Sequence, residues 1–211
     1  MEKSEIVFKG LKSLYPNAEC ELEYKDAYSL LIAVILSAQC TDKRVNQVMP
    51  ILLRRFPTVY DLANAESGEV EDIIRSCGFY KNKTKSIIEC SKDIVEKYNG
   101  EVPNSLDALI KLRGVGRKTA NVVLSTVFKT PTIAVDTHVF RVANRLGLVK
   151  ADNVEDCEKQ LMKVLPKERW SEMHQMLVLF GRYMCKAIKP KCIECPLKDS
   201  CDKYNSEISV K

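Results

Sequence analysis

The chain has no apolar run long enough to cross a bilayer. Its most hydrophobic stretch, Ser29 to Ala38, falls well short of the roughly 20 apolar residues that a spanning helix needs, and reads as a buried core helix. No targeting leader is visible: Met1-Glu2-Lys3-Ser4-Glu5 is polar and leads into no apolar segment. These absences predict a soluble protein of a reducing compartment, cytosolic or nuclear, with no membrane partner. A large charge surplus is missing too. A net charge of +5 over 211 residues is mildly basic, short of a purely electrostatic nucleic-acid binder, though compatible with one basic face. Strand-like alternation is absent except at Thr132 to Val135, so the chain reads as all-α. A disulfide framework is excluded as well. Nine cysteines is a high and odd number, but the chain is long and carries no secretion signal.

A hydrophobic fraction of 45% supplies core for one large domain or two small ones, and 29% charged residues give a well-solvated surface. Five cysteines (Cys20, Cys40, Cys77, Cys90 and Cys157) are scattered and read as small buried apolar residues. The other four, Cys185, Cys192, Cys195 and Cys201, crowd together near the C-terminal end.

Helices are expected over 6–14, from about Tyr28, and after a Thr41 or Asp42 cap with a Val45, Val48, Met49, Leu52 stripe. Further helices fit 58–65, 67–76 and 83–98, the last stopped by Asn99-Gly100. Later ones open at Asp136, with Val139, Val142, Ala143 and Leu146 on one face, at Asn153, and over 170–184. A polar tail follows the cysteines.

One stretch organises the rest, Leu112-Arg113-Gly114-Val115-Gly116-Arg117-Lys118-Thr119-Ala120-Asn121. Before it, Asn104-Ser105-Leu106-Asp107 reads as a capped helix start. After it, Ala120, Val123, Leu124 and Val127 recur at one-face helical spacing. The Gly-x-Gly turn lets the backbone bend sharply and approach another object. The second helix begins at the turn, so its free N–H groups and positive dipole end point outward. Arg117 and Lys118 add formal charge to what is an anion site, and a DNA phosphate is a natural occupant.

Lys118 lies opposite the apolar stripe and faces out of the core. The helix dipole and Arg117 both disfavour its charged form, which favours a nucleophilic amine; a phosphate-contacting or solvated lysine fits the same position. Asp136 precedes a helix and is expected to cap it, a role compatible with catalysis because a capping carboxylate is held in place. His138 is either a substrate contact or a structural histidine. The four late cysteines follow Cys-x6-Cys-x2-Cys-x5-Cys and can staple an otherwise coreless segment around one metal centre. Zinc and a [4Fe–4S] cluster both accept four thiolates. The spacing lacks paired zinc-ribbon knuckles and leans towards the cluster.

Three motifs in order then identify a resemblance. Leu-x-Gly-Val-Gly-Arg-Lys-Thr-Ala-Asn-Val-Val at 112–123, Pro-Thr-Ile-Ala-Val-Asp-Thr-His-Val-Phe-Arg-Val at 131–142 and the four-cysteine loop closely resemble the endonuclease III family, over essentially the whole chain. The resemblance implies two helical domains with a DNA-binding cleft between them: residues 21–133 with the helix–hairpin–helix, and residues 1–20 with 134–211, which carry a [4Fe–4S] cluster on the four cysteines. It implies a bifunctional DNA glycosylase and AP lyase acting on oxidised pyrimidines in damaged double-stranded DNA, as a monomer, cytoplasmic and nucleoid-associated in a prokaryote. Lys118 would be the nucleophile and Asp136 the essential carboxylate. DNA contacts would come from Gly114, Val115, Gly116, Arg117 and His138. Gln39 would fill the gap left by the extruded base, and Phe79 would be an apolar wedge. Relatives specific for adenine opposite oxidised guanine, or for thymine mismatches, carry Ser or Tyr in place of Lys118. One departure is visible: Arg113 stands where the family usually has Pro, which loosens the hairpin and offers another phosphate contact.

Overall fold

The computed structural model describes residues 2–208. Among them are twelve α-helices, two short 3₁₀ turns and no strand. In chain order the helices are α1 (Lys3–Leu14), α2 (Ala27–Ser37), α3 (Asp42–Arg55), α4 (Val59–Ala63), α5 (Ser67–Ile74), α6 (Tyr80–Tyr98), α7 (Leu106–Leu109), α8 (Arg117–Thr126), α9 (Thr137–Leu146), α10 (Val154–Val164), α11 (Trp170–Tyr183) and α12 (Asp202–Ile208). The chain divides into two compact units, Cys20–Thr130, and Met1–Glu19 with Pro131–Lys211.

In the Cys20–Thr130 unit α2 is apolar on every side, and Leu30, Leu31, Ile32 and Leu36 are wholly enclosed. It packs against α3, α6 and α8. Its start is set by Asp26, whose carboxylate accepts from the Ser29 N–H at 2.7 Å. Thr41 caps α3, and the expected Val45, Val48, Met49 and Leu52 stripe is buried. The helix expected at 83–98 begins earlier, at Tyr80, because Phe79 adopts a left-handed backbone (φ 57) and turns the chain into it. Asn99 (φ 52) and Gly100 (φ 83) end it. The capped start expected at Asn104-Ser105 is only half realised. Ser105 holds the N-cap position without a side-chain capping bond, and α7 is a single turn.

In the other unit α9 packs on α10, α11 and α12, and α1 packs on α11. Val139, Val142, Ala143 and Leu146 meet Met173, Met176, Leu177 and Phe180 in one core, to which α1 adds Val7 and Leu11. A Cβ on Gly181 would lie 2.8 Å from the His138 Cβ, so the missing side chain is what lets α11 lie against α9 there. Residues 132–135, the one candidate strand, form none. They are an irregular link whose Ile133 and Val135 are buried in this core, which explains their apolar character without a pairing partner. The expected polar tail is helical, as α12, as far as Ile208.

Candidate active site and cysteine loop

In the Cys20–Thr130 unit the hairpin is anchored from below. Leu112 and Val115 are buried, and the Val115 N–H donates to the Leu112 carbonyl at 3.1 Å. Val115 therefore has its side chain in the core and its N–H already engaged. Gly114 stands at φ +77, and a Cβ there would come within 2.7 Å of the Ser86 Cβ, so conformation and space both require glycine. Gly116 differs. It is the N-cap of α8 in extended conformation, and a Cβ would meet nothing within 4 Å. No side chain caps α8, and Arg117 and Lys118 are exposed in its first turn. Arg113, the departure from the family pattern, pairs with Glu89 of α6 at 3.4 Å. Exposed on both sides, that pair is worth under about 1 kcal/mol.

Gln39 and Phe79 sit on two turns of the same unit. Both are exposed and both are left-handed, at φ 51 and φ 57. Such backbone is uncommon outside glycine and costs of order 1 kcal/mol or more each. Phe79 is 65% exposed, a large ring held in water. The two turns abut: a Cβ on Gly78 would lie 3.1 Å from the Gln39 carbonyl oxygen. Below them Lys83, invisible to sequence reasoning because it falls in a polar register, is buried and donates from Nζ to the Leu36 carbonyl at 2.8 Å. Burial pulls its pKa down.

The other unit carries the carboxylate and the cysteines. Asp136 is half-buried and caps α9, accepting from the N–H groups of His138 (2.9 Å) and Val139 (2.8 Å). The His138 Nδ1 lies 3.3 Å from Arg141 Nη2. Arg141 also donates to the Gly181 carbonyl (2.8 Å) and the Cys185 carbonyl (3.1 Å). One turn on, Arg145 donates to Cys185 Sγ at 3.5 Å and to the carbonyls of Lys186 (2.7 Å) and Ala187 (3.2 Å). Sequence reasoning missed both arginines; their four-residue spacing on the polar face of α9 was the available signal.

Cys185, Cys192, Cys195 and Cys201 are all half-buried and line one open hollow, with Leu146, Phe180, Met184 and Tyr204 also in its wall. Among the described residues no three His, Cys, Asp or Glu side chains converge closely enough to hold a single ion. Thiolates around a space suit a cluster, whose irons and sulfides fill it, better than a lone zinc, which needs them within about 2.3 Å. Burial and the neighbouring cysteines push the Cys192 and Cys195 thiols up. Gathering these thiolates without a cationic centre is costly, and a cluster relieves that cost. Of the five scattered cysteines expected to be buried, Cys77, Cys90 and Cys157 are, whereas Cys20 and Cys40 are partly exposed.

Comparison with known proteins bears on both units. Residues 32–167 match the HhH-GPD superfamily base excision DNA repair protein family, and residues 185–201 the iron-sulfur binding domain of endonuclease III. Endonuclease III of Bacillus subtilis (strain 168) is 48% identical over 202 residues, covering 95% of this chain and 92% of that protein.

This chain belongs to the endonuclease III family.

A solved structure of a trapped endonuclease III–DNA covalent intermediate, an estranged-adenine complex, matches with a TM-score of 0.93 at 46% identity, covering 99% of both chains. A non-covalent endonuclease III–DNA complex matches with a TM-score of 0.92, also at 46% identity and 99% coverage of both. As a member of the endonuclease III family, the protein is a base excision repair enzyme, a DNA glycosylase with AP lyase activity that binds DNA and carries a [4Fe–4S] cluster. No described helix is long and apolar enough to cross a membrane.

Proposed function

We propose that this protein removes oxidised pyrimidines from duplex DNA and then cleaves the strand 3′ to the lesion, with Lys118 as nucleophile and Asp136 as the essential carboxylate. The observation that carries the reading is the exposed Lys118 in the first turn of an uncapped helix, behind a Gly116 with open space in front of it. A phosphate docks at such a helix start through backbone N–H groups and the dipole, with Arg117 beside it. The absent Gly116 side chain allows close approach. Val115 contributes by holding the turn, since its own N–H is engaged.

A base inside a duplex is out of reach, so the nucleotide must be extruded, at a cost of a few kcal/mol that is least for damaged bases. Gln39 fills the vacated place and Phe79 wedges the stack, both on left-handed turns that expose them to solvent. The Lys118 amine, once deprotonated, attacks C1′ and displaces the base. Asp136, fixed by two backbone N–H donors, stabilises the developing oxocarbenium charge or takes the lysine proton. The Schiff base is an electron sink, so loss of the 2′ proton and β-elimination follow. His138 contacts the substrate strand from the turn that Asp136 caps. The protein works as a monomer on the cytoplasmic nucleoid.

Cys185, Cys192, Cys195 and Cys201 would hold the [4Fe–4S] cluster, which when bound supplies a cross-link closing the loop. Arg141 and Arg145 position the start of that loop through the Cys185, Lys186 and Ala187 backbone.

Borohydride trapping on a duplex carrying one oxidised thymine tests the reading. Wild type should form a covalent adduct; Lys118→Gln should bind the duplex and form none. Base release by Lys118→Gln at the wild-type rate would remove Lys118 from the mechanism.

A further inference from the structure

The two turns that carry Gln39 and Phe79 also hold a thiol pair with no part in the chemistry above. Cys40 follows α2, its N–H donating to the Ser37 carbonyl at 3.1 Å. Cys77 follows α5, its N–H donating to the Ile74 carbonyl at 2.8 Å. The backbones meet one residue away from each, where Gly78 abuts the Gln39 carbonyl. The side chains meet as well, Cys77 hydrogen-bonding Cys40. Cys40 is half-buried and Cys77 is 1% exposed. Beneath them Lys83 is pinned to the Leu36 carbonyl, and its charge acts on both sulfurs, while Arg44 acts on Cys77.

This is the arrangement of an attacking and a resolving thiol. Burial, then the neighbouring Cys40, push the Cys77 thiol up to about 11, so it keeps its proton and donates it towards Cys40. Cys40 is the sulfur that solvent reaches, and the Lys83 ammonium lies close to the pair. Cys90 and Cys157, by contrast, are wholly enclosed in the cores.

We propose that Cys40 and Cys77 are an oxidant-modification site: hydrogen peroxide converts them to a disulfide that ties the α2–α3 turn to the α5–α6 turn. The Cys40 thiolate attacks the O–O bond and becomes a sulfenic acid, releasing water once the leaving oxygen is protonated. The Cys77 sulfur then displaces the second water from that sulfenic sulfur. Two thiols lose two electrons and two protons, and one peroxide becomes two waters. Resting on the reading of Gln39 and Phe79 as duplex-inserting residues, the cross-link fixes their spacing and hinders insertion, weakening binding to lesion DNA.

The test uses full-length protein with its cluster intact. It is treated with one equivalent of hydrogen peroxide, its remaining thiols are alkylated, and it is digested without reduction for mass spectrometry. Absorbance of the cluster is followed in parallel. Expected is a Cys40–Cys77 peptide pair, reversed by dithiothreitol and absent from Cys40→Ser and Cys77→Ala. Affinity of the oxidised wild type for a duplex with a tetrahydrofuran abasic analogue should fall roughly tenfold, the loss of about one inserted side chain. Peroxide-treated Cys40→Ser should bind as before. Cys40 recovered as sulfinic acid, or cross-linked elsewhere, overturns the site. A mapped Cys40–Cys77 link with unchanged affinity overturns its effect on DNA. The mapping needs no DNA, so failure of the glycosylase reading, seen by borohydride trapping of reduced protein, is a separate result.

Discussion

Asp136 carries two duties that substitution can separate. As the N-cap of α9 it satisfies two backbone N–H groups, and in the proposed mechanism its carboxylate supplies negative charge to the reaction. Asparagine caps a helix about as well as aspartate, whereas alanine costs about 1 kcal/mol. Asp136→Asn should therefore melt within about 1 °C of wild type and lose most single-turnover base release, while Asp136→Ala should lose both activity and about 1 kcal/mol of stability. Full base release by the asparagine variant would show that only the cap matters. The cap was legible because an aspartate before an apolar-periodic segment has one common use. Other residues were harder. Nothing in the letters of Gln39 or Phe79 signals a left-handed backbone, which tertiary packing imposes on them. The identity of Val115 does not tell that its N–H is taken by Leu112. Lys83 reads as one more surface lysine until the Leu36 carbonyl is found within 2.8 Å of it.

At the scale of elements, the hairpin between α7 and α8 uses its glycines for different reasons. Gly114 is needed by the protein: an alanine there would be strained at φ +77 and pressed on Ser86. Gly114→Ala should cost about 1–3 kcal/mol in urea unfolding. A Cβ on Gly116 would meet no protein atom within 4 Å, so Gly116→Ala should unfold as wild type does yet bind duplex DNA more weakly, read by fluorescence anisotropy. Equal stability losses for both would refute the distinction. Helix positions were legible from periodicity and caps, as for α3 and α9, because a stripe and a capping side chain are local facts. Starts set by backbone reversal were not. The early beginning of α6 depends on Phe79, and α7 stops after one turn despite a favourable opening sequence.

At the scale of the whole molecule, periodicity marks which face of a helix is buried without saying what buries it. That Ile133 and Val135 sit in the core of α9 and α11, in place of forming a strand, follows from side-chain fit far along the chain. The cysteine spacing was more informative because ligation is local. Cys192→Ser should abolish the cluster's absorbance and make residues 185–201 sensitive to protease, since few apolar contacts besides Leu197 hold that loop. The Cys20–Thr130 unit should keep its hydrogen-exchange protection in the same variant. Its loss there would mean that the cluster supports more than its own loop.

The discontinuous unit has a consequence for synthesis. Its α1 leaves the ribosome well before its packing partner α11 and before Leu197, which lies against Gly10. At about 5–20 residues per second, α1 waits many seconds for them. The Cys20–Thr130 unit is complete long before. Ribosome-stalled chains long enough for Thr130 to have cleared the exit tunnel, with α11 still inside it, should already protect the unit from protease while α1 stays cleavable. Cys201, made well after Thr130, completes the four-cysteine set last, so a newly made molecule passes through a stage in which the hairpin between α7 and α8 is folded and its cysteine loop is not.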